Sequence, residues 1–344
     1  MERKQHPYWK FLLVAISTFL GTVLAVLFKI PYGFLICVTS FVLIQLFVHE
    51  LWQKSLERMI GPIVFSALSL GLVVLCQQRW ILSVVGCALL VFVAMYAYAQ
   101  KWHLYGMLLG GITSALIVSF YYFIGPHEAE QLALYWPLNI ILGVVCILPA
   151  AGVIWLCTRY PFREQHSSHS DIQTLFRFNP RALQMALRIT VTIALVIVLN
   201  KILHKPAITL QGLIAGVVVS AQFDLNMTHH RLLFRVLGVV FGCAVALAIG
   251  VLIEHSGQPI WQIVWVPLML MVMTFLADRL PVYLEYGFLQ AGVMVPLILM
   301  SGSSGEIYNT AVGIDRALGS IEGGIIGLLV VYFFRLVFGT PTKM

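Results

Sequence analysis

The chain has 344 residues, of which 60% are hydrophobic and only 10% charged, with a mean hydropathy of +0.93 and a formal net charge of +7. Soluble domains carry about a quarter of their residues charged, so this composition excludes an ordinary water-soluble domain. The basic residues are scattered between apolar runs rather than clustered, which excludes nucleic acid as the partner they serve.

The apolar runs follow one another along the whole chain, and a run of about 18 residues or more is long enough to cross the hydrocarbon as a helix. The first half predicts spans over 11–28, 33–49, 61–76, 81–99, 104–124 and 137–157. An acidic loop is expected at Pro126–Glu130. The stretch Thr158–Arg181, with four arginines, two histidines and three serines, is too short for a core of its own and reads as a linker. The second half predicts spans over 183–203, 207–223, 234–253, 260–276, 286–300 and 314–338.

The two halves share a plan. Arg58-Met-Ile-Gly61 and Arg235-Val-Leu-Gly238 lie 177 residues apart, as do Asn139 and Arg316, each followed by a glycine within four residues. The same shift pairs Gln45 with Gln222 and Lys54 with Arg231. Six spans per half leave both halves pointing the same way, which is a parallel repeat. The expected fold is therefore an all-α polytopic membrane protein of about twelve transmembrane helices in two parallel six-helix repeats. Residues 1–157 form the first bundle, 158–181 the cytoplasmic linker and 182–344 the second bundle. With the N-terminus inside, fifteen basic residues fall on the cytoplasmic side and five outside, with Arg188 near or within a span. Both termini and the linker are assigned to the cytoplasm on that bias.

Chemistry in such a chain is carried by ionisable residues inside spans, each of which costs at least about 2.5–3.5 kcal/mol at the bilayer centre and so faces a cavity or a partner. Glu322 lies inside the last span among Gly319, Gly323, Gly324 and Gly327, and Asp315 falls on nearly the same helical face seven residues earlier. Both are candidates for proton coupling. Arg316, on a different face, is a candidate to meet an anion at the outer mouth. Arg58 and Arg235 stand at the inner mouths of equivalent spans, where they either attract anions or snorkel to lipid phosphates. Gln45 and Gln222 are candidate substrate donors, with hydrogen bonds across helices as the alternative. Asp224 and Arg188 are weaker candidates for mutual partners. The Gly-x-x-x-Gly pairs point to tight helix packing, and Pro149, Pro267 and Pro296 to broken or kinked helices. No catalytic motif, P-loop or metal-ligand spacing is present, the six cysteines form no Cys-x-x-Cys pair, and the four histidines at 166, 169, 229 and 230 read as solvated. No cofactor and no enzymatic activity are expected.

The residues Asn226–Gly242, the preceding Ala207–Gln222 run and Asp315–Gly323 resemble the fusaric-acid-resistance and aromatic-acid-exporter family of bacterial inner membranes. The resemblance implies two six-helix bundles with an Arg-x-x-Gly element opening the third span of each, and export of organic acids, often through a periplasmic adaptor protein. The chain departs from many members in lacking a large cytoplasmic domain, in running Gly61 into Pro62 and in carrying Asn139 where an arginine is expected. Plant malate-type anion channels look like distant relatives. The reading that follows is a proton-coupled secondary exporter of small organic or aromatic acid anions. An uncoupled anion channel and a structural or assembly subunit are its alternatives. Its partners would be the anion, membrane lipids and an adaptor.

Overall fold

The structure is a computed structural model describing residues 9–47, 51–76, 79–100, 104–158, 178–203, 206–222, 224–300 and 310–339. Among these residues there are twelve α-helices and no strand. The first six are α1 (Trp9–Leu27), α2 (Phe34–Phe47), α3 (Leu51–Leu75), α4 (Trp80–Ala99), α5 (Leu104–Phe123) and α6 (Pro126–Thr158). The others are α7 (Pro180–Leu203), α8 (Pro206–Ser220), α9 (Leu225–Ser256), α10 (Gln262–Arg279), α11 (Val282–Leu299) and α12 (Thr310–Phe338). Nine of them are long and apolar enough to cross a membrane, and α2, α8 and α11 contain shorter apolar stretches. The chain is a multi-pass membrane protein.

Every run expected from hydropathy is a helix, because a backbone in hydrocarbon must satisfy its polar groups internally. The helix ends differ, and for one reason: helices continue past the hydrocarbon into polar sequence. The acidic loop expected at Pro126–Glu130 is the first turn and a half of α6, which is 33 residues and so about 50 Å long, against roughly 30 Å of hydrocarbon. Pro126 suits the first helical position, and Gly125 before it has a φ of 154°. Likewise α3 begins seven residues before Arg58, and α9 ten residues before Arg235, so that both arginines lie within helices that start in polar sequence. Asn179 caps α7, its Oδ1 accepting from the N–H groups of Arg181 and Ala182 at 3.1 and 3.3 Å. Helices α6, α10 and α11 run through Pro149, Pro267 and Pro296 without a break. Most of the linker, including His166 and His169, lies outside the described residues.

The helices gather into two compact units, and these follow a different division from the halves of the sequence. Unit 1 comprises Met1–Ser55, Leu138–Ser167 and Leu237–Ile314; unit 2 comprises Leu56–Pro137, Ser168–Val236 and Asp315–Met344. Within unit 1, α1 packs on α2 and α10, and α11 on α10 and α2. Within unit 2, α4 packs on α5 and α7, and α8 on α7 and α5. Each unit thus takes the first two helices of one half and the fourth and fifth of the other.

Glycines set the closest approaches. In unit 2, a methyl on Gly61 would collide with the carbonyl of Gly106, and one on Gly323 with that of Gly212. In unit 1, a methyl on Gly238 would collide with the carbonyl of Gly287, and one on Gly242 would lie 2.6 Å from the carbonyl oxygen of Ala291. With no side chains between them the backbones touch, which is how small-residue pairs hold helices where burial from water supplies no drive.

Candidate functional site

Unit 2 holds all but one of the candidate residues. Arg58 is 6% exposed and Arg235 1%, so neither snorkels to lipid. Arg58 comes from α3 and Arg235 from α9, equivalent positions in the two halves, yet both belong to this one unit. The Arg58 guanidinium lies 5.3 Å from the centre of the Tyr105 ring, and its Nη1 donates to the Tyr105 hydroxyl. Glu57, one residue earlier, accepts the backbone N–H of Tyr105 at 3.0 Å through Oε2. The close passage of α3 over α5 at Gly61 and Gly106 makes this possible: it brings the first turn of α5 against the residues preceding Gly61. Among the described residues no carboxylate pairs with Arg58, and its Nε is buried without a hydrogen-bond partner.

Glu322 lies half-buried on α12, and its Oε1 accepts from Nδ2 of Asn200 on α7 at 2.8 Å. Asn200 is fully buried, and the same nitrogen bonds the Val196 carbonyl at 3.0 Å. Asp315 and Arg316 are half-buried in the second turn of α12. Among the described residues no hydrogen bond or ion pair reaches Asp315. Gln222, two residues past the end of α8, turns back on that helix, its Nε2 donating to the Val218 carbonyl at 3.4 Å.

Gln45 belongs to unit 1 and does something different from its equivalent. Its Nε2 reaches Oδ1 of Asp278 on α10 at 3.3 Å, an oxygen that also accepts from Lys10 Nζ at 2.9 Å. Neither Lys10 nor Asp278 is among the candidates that the sequence suggests. In the fold Lys10 is 0% and Asp278 5% exposed. Asp224 is exposed and does not pair with Arg188; its Oδ1 instead accepts the N–H of Asn226 at 3.1 Å at the start of α9. His229 and His230 are exposed on α9, with His229 bonded to the Tyr332 hydroxyl at 3.1 Å. Asn139, standing where its equivalent is Arg316, is fully buried and donates to the Pro31 carbonyl at 2.7 Å.

The site thus holds a buried cation that no carboxylate pairs with among the described residues (Arg58) and a carboxylate in a hydrogen-bonded, half-buried setting (Glu322). Comparison with known sequences adds one finding. Residues 195–330 match the family described as fusaric acid resistance protein-like. This stretch is similar to that family. It runs from the end of α7 through most of α12, and so contains Asn200, Gln222, Arg235, Asp278, Asp315, Arg316 and Glu322. No curated protein and no solved structure matches the chain.

Proposed function

We propose that the chain is a secondary exporter of small organic or aromatic acid anions, driven by protons, in a bacterial inner membrane with both termini cytoplasmic. The observation that carries the reading is the buried guanidinium of Arg58, which pairs with no carboxylate among the described residues. A charge taken out of water is retained only where something compensates it, and a planar guanidinium is suited to grip a carboxylate. Arg235, equally buried in the same unit, adds a second positive charge. Glu322, oriented by Asn200, serves as the group that binds the proton, with Asp315 and Arg316 toward the outer mouth on the same helix. The family-like region supports membrane transport as the class, and a periplasmic adaptor remains part of the proposal on that resemblance.

The same reading takes the twelve helices as two parallel six-helix repeats. The equivalent placement of Gly61 and Gly238 supports it, since each forms the close contact of the third helix of its half with the fifth.

Flux of benzoate-like and citrate-like acids into sealed proteoliposomes tests the proposal, first under an imposed pH gradient and then under voltage alone. Accumulation that needs the pH gradient and falls in Arg58→Gln is the expected result. Passive flux that follows voltage alone would replace the carrier with a channel. Absence of flux for every acid would leave a structural or partner-dependent subunit.

A further inference from the structure

Unit 1 contains a polar cluster that the proposed route through Arg58 and Glu322 does not use. Lys10, Asp278 and Gln45 come from α1, α10 and α2, and all three are buried. Lys10 Nζ and Gln45 Nε2 converge on the same carboxylate oxygen, at 2.9 and 3.3 Å. The cluster is incomplete on both its positive and its negative side. Asp278 Oδ2 and Gln45 Oε1 are buried with no hydrogen-bond partner among the described residues. An ammonium has three donors, and only the one to Asp278 is engaged among the described residues. A buried ion pair kept purely for structure needs its remaining lone pairs and protons satisfied. Here two acceptors and two donors are left over in one place, which calls for an explanation.

We propose that Lys10, Asp278 and Gln45 form a carboxylate-exchange site, in which a substrate carboxylate replaces Asp278 as the partner of Lys10 while Asp278 takes up a proton. The inference rests on the anion-export reading and adds to it a second binding position in a different unit. A proton adds to the free oxygen, Oδ2, forming an O–H bond and removing the negative charge of Asp278. Lys10 is then a buried cation without a counter-ion, with its N–H donors open to an incoming carboxylate. The site is neutral before, as ammonium and carboxylate, and neutral after, as ammonium, carboxylic acid and substrate carboxylate. One proton therefore enters with each carboxylate, because either event alone leaves an uncompensated buried charge. Release runs the same steps backwards. Among described residues on α1, α10 and the helices packed against them, the other charged or titratable groups to consider are Arg279, 5.2 Å from the centre of the Phe275 ring, Glu285 and Tyr286 in the first turns of α11, and Cys37 in the first turn of α2 beside Thr22.

Binding of radiolabelled benzoate to the purified full-length chain tests this at mildly acidic and at neutral pH. The wild type is expected to bind more tightly at acidic pH, by up to about tenfold per pH unit, the slope of one linked proton. Asp278→Asn, which holds the neutral form at every pH, is expected to bind at neutral pH as the wild type does in acid. Lys10→Met/Asp278→Leu, which replaces the pair by apolar side chains of similar size, is expected to keep the wild-type thermal midpoint and lose the pH-dependent part of binding. This variant decides the matter if Asp278→Asn does not fold. Wild-type pH dependence in Asp278→Asn, or undiminished proton-driven benzoate uptake in the double variant, would overturn the exchange site. Should either occur while Arg58→Gln still impairs uptake, anion export stands and only this site falls. Wild-type protein that neither binds nor transports benzoate at either pH would overturn this site together with the export of aromatic acids.

Discussion

Asn200 donates to Glu322 at 2.8 Å, tying α7 to α12 through one amide and one carboxylate inside unit 2. The same amide nitrogen is held by the Val196 carbonyl, one turn earlier on its own helix. Asn200 is thus a fixed donor that orients the carboxylate. Glu322→Gln keeps an acceptor for Asn200 but removes the titratable group. It is expected to abolish uptake driven by the pH gradient while leaving benzoate exchange under equal pH on both sides. Asn200→Leu removes the orienting donor and should lower stability by about 1–3 kcal/mol, read from thermal unfolding in detergent. Full pH-driven uptake in Glu322→Gln would take the proton-binding role away from this residue.

Arg58 tests the anion-binding assignment. Its planar fork presents two parallel donors to a carboxylate, a geometry that a lysine ammonium lacks. Arg58→Lys is expected to raise KM for uptake by roughly tenfold, equivalent to about 1.4 kcal/mol. Arg58→Gln should raise it further. Tyr105→Phe keeps the ring against the guanidinium and removes only the hydroxyl acceptor, so its effect should be the smallest of the three. Initial uptake rates across substrate concentration separate KM from kcat. An unchanged KM in Arg58→Gln would sink the assignment.

Gly61 and Gly71 stand on the same helix and should respond oppositely to alanine. At Gly61 the added methyl collides with the backbone of Gly106, which no rotamer change relieves. The helices must part, with a cost of roughly 1–3 kcal/mol or more and a displaced Tyr105. At Gly71 nothing lies within 4 Å of the added carbon. Alanine is there expected to be neutral or stabilising by up to about 1 kcal/mol, through the lost freedom of the unfolded chain. Thermal midpoints of the two variants, measured side by side, check the prediction.

Asn139 explains a departure from the repeat. Its side chain donates to the Pro31 carbonyl at 2.7 Å, within a turn where Lys29 and Tyr32 both have positive φ values, 48° and 56°. Asn139→Ala leaves that carbonyl without this donor and should cost about 1–3 kcal/mol. Asn139→Arg, which restores the residue type of the equivalent Arg316, should be at least as damaging, because it buries an added charge. A variant as stable as wild type would show that the bond is dispensable.

The existence of the helices was legible along the chain, because an apolar run in hydrocarbon has helix as its way of satisfying the backbone. Their ends were not. Hydropathy reports where the hydrocarbon is, whereas α3, α6 and α9 continue through polar residues such as Arg58, Glu128 and Arg231. Charged residues at the edges of runs were likewise visible as candidates. Their environment was not: Lys10, just ahead of the first apolar run expected from the sequence, is wholly buried in the fold.

By itself the sequence determined the class of protein, the number of apolar runs and a set of ionisable residues that membrane burial makes expensive. Only the tertiary structure decided which of them meet. Asn200 and Glu322 are 122 residues apart, Gln45 and Asp278 233, and Lys10 and Asp278 268. No periodicity records such pairings, because they depend on which helices pack together. Here each compact unit draws helices from both halves of the chain, and the glycine contacts set how closely those helices approach.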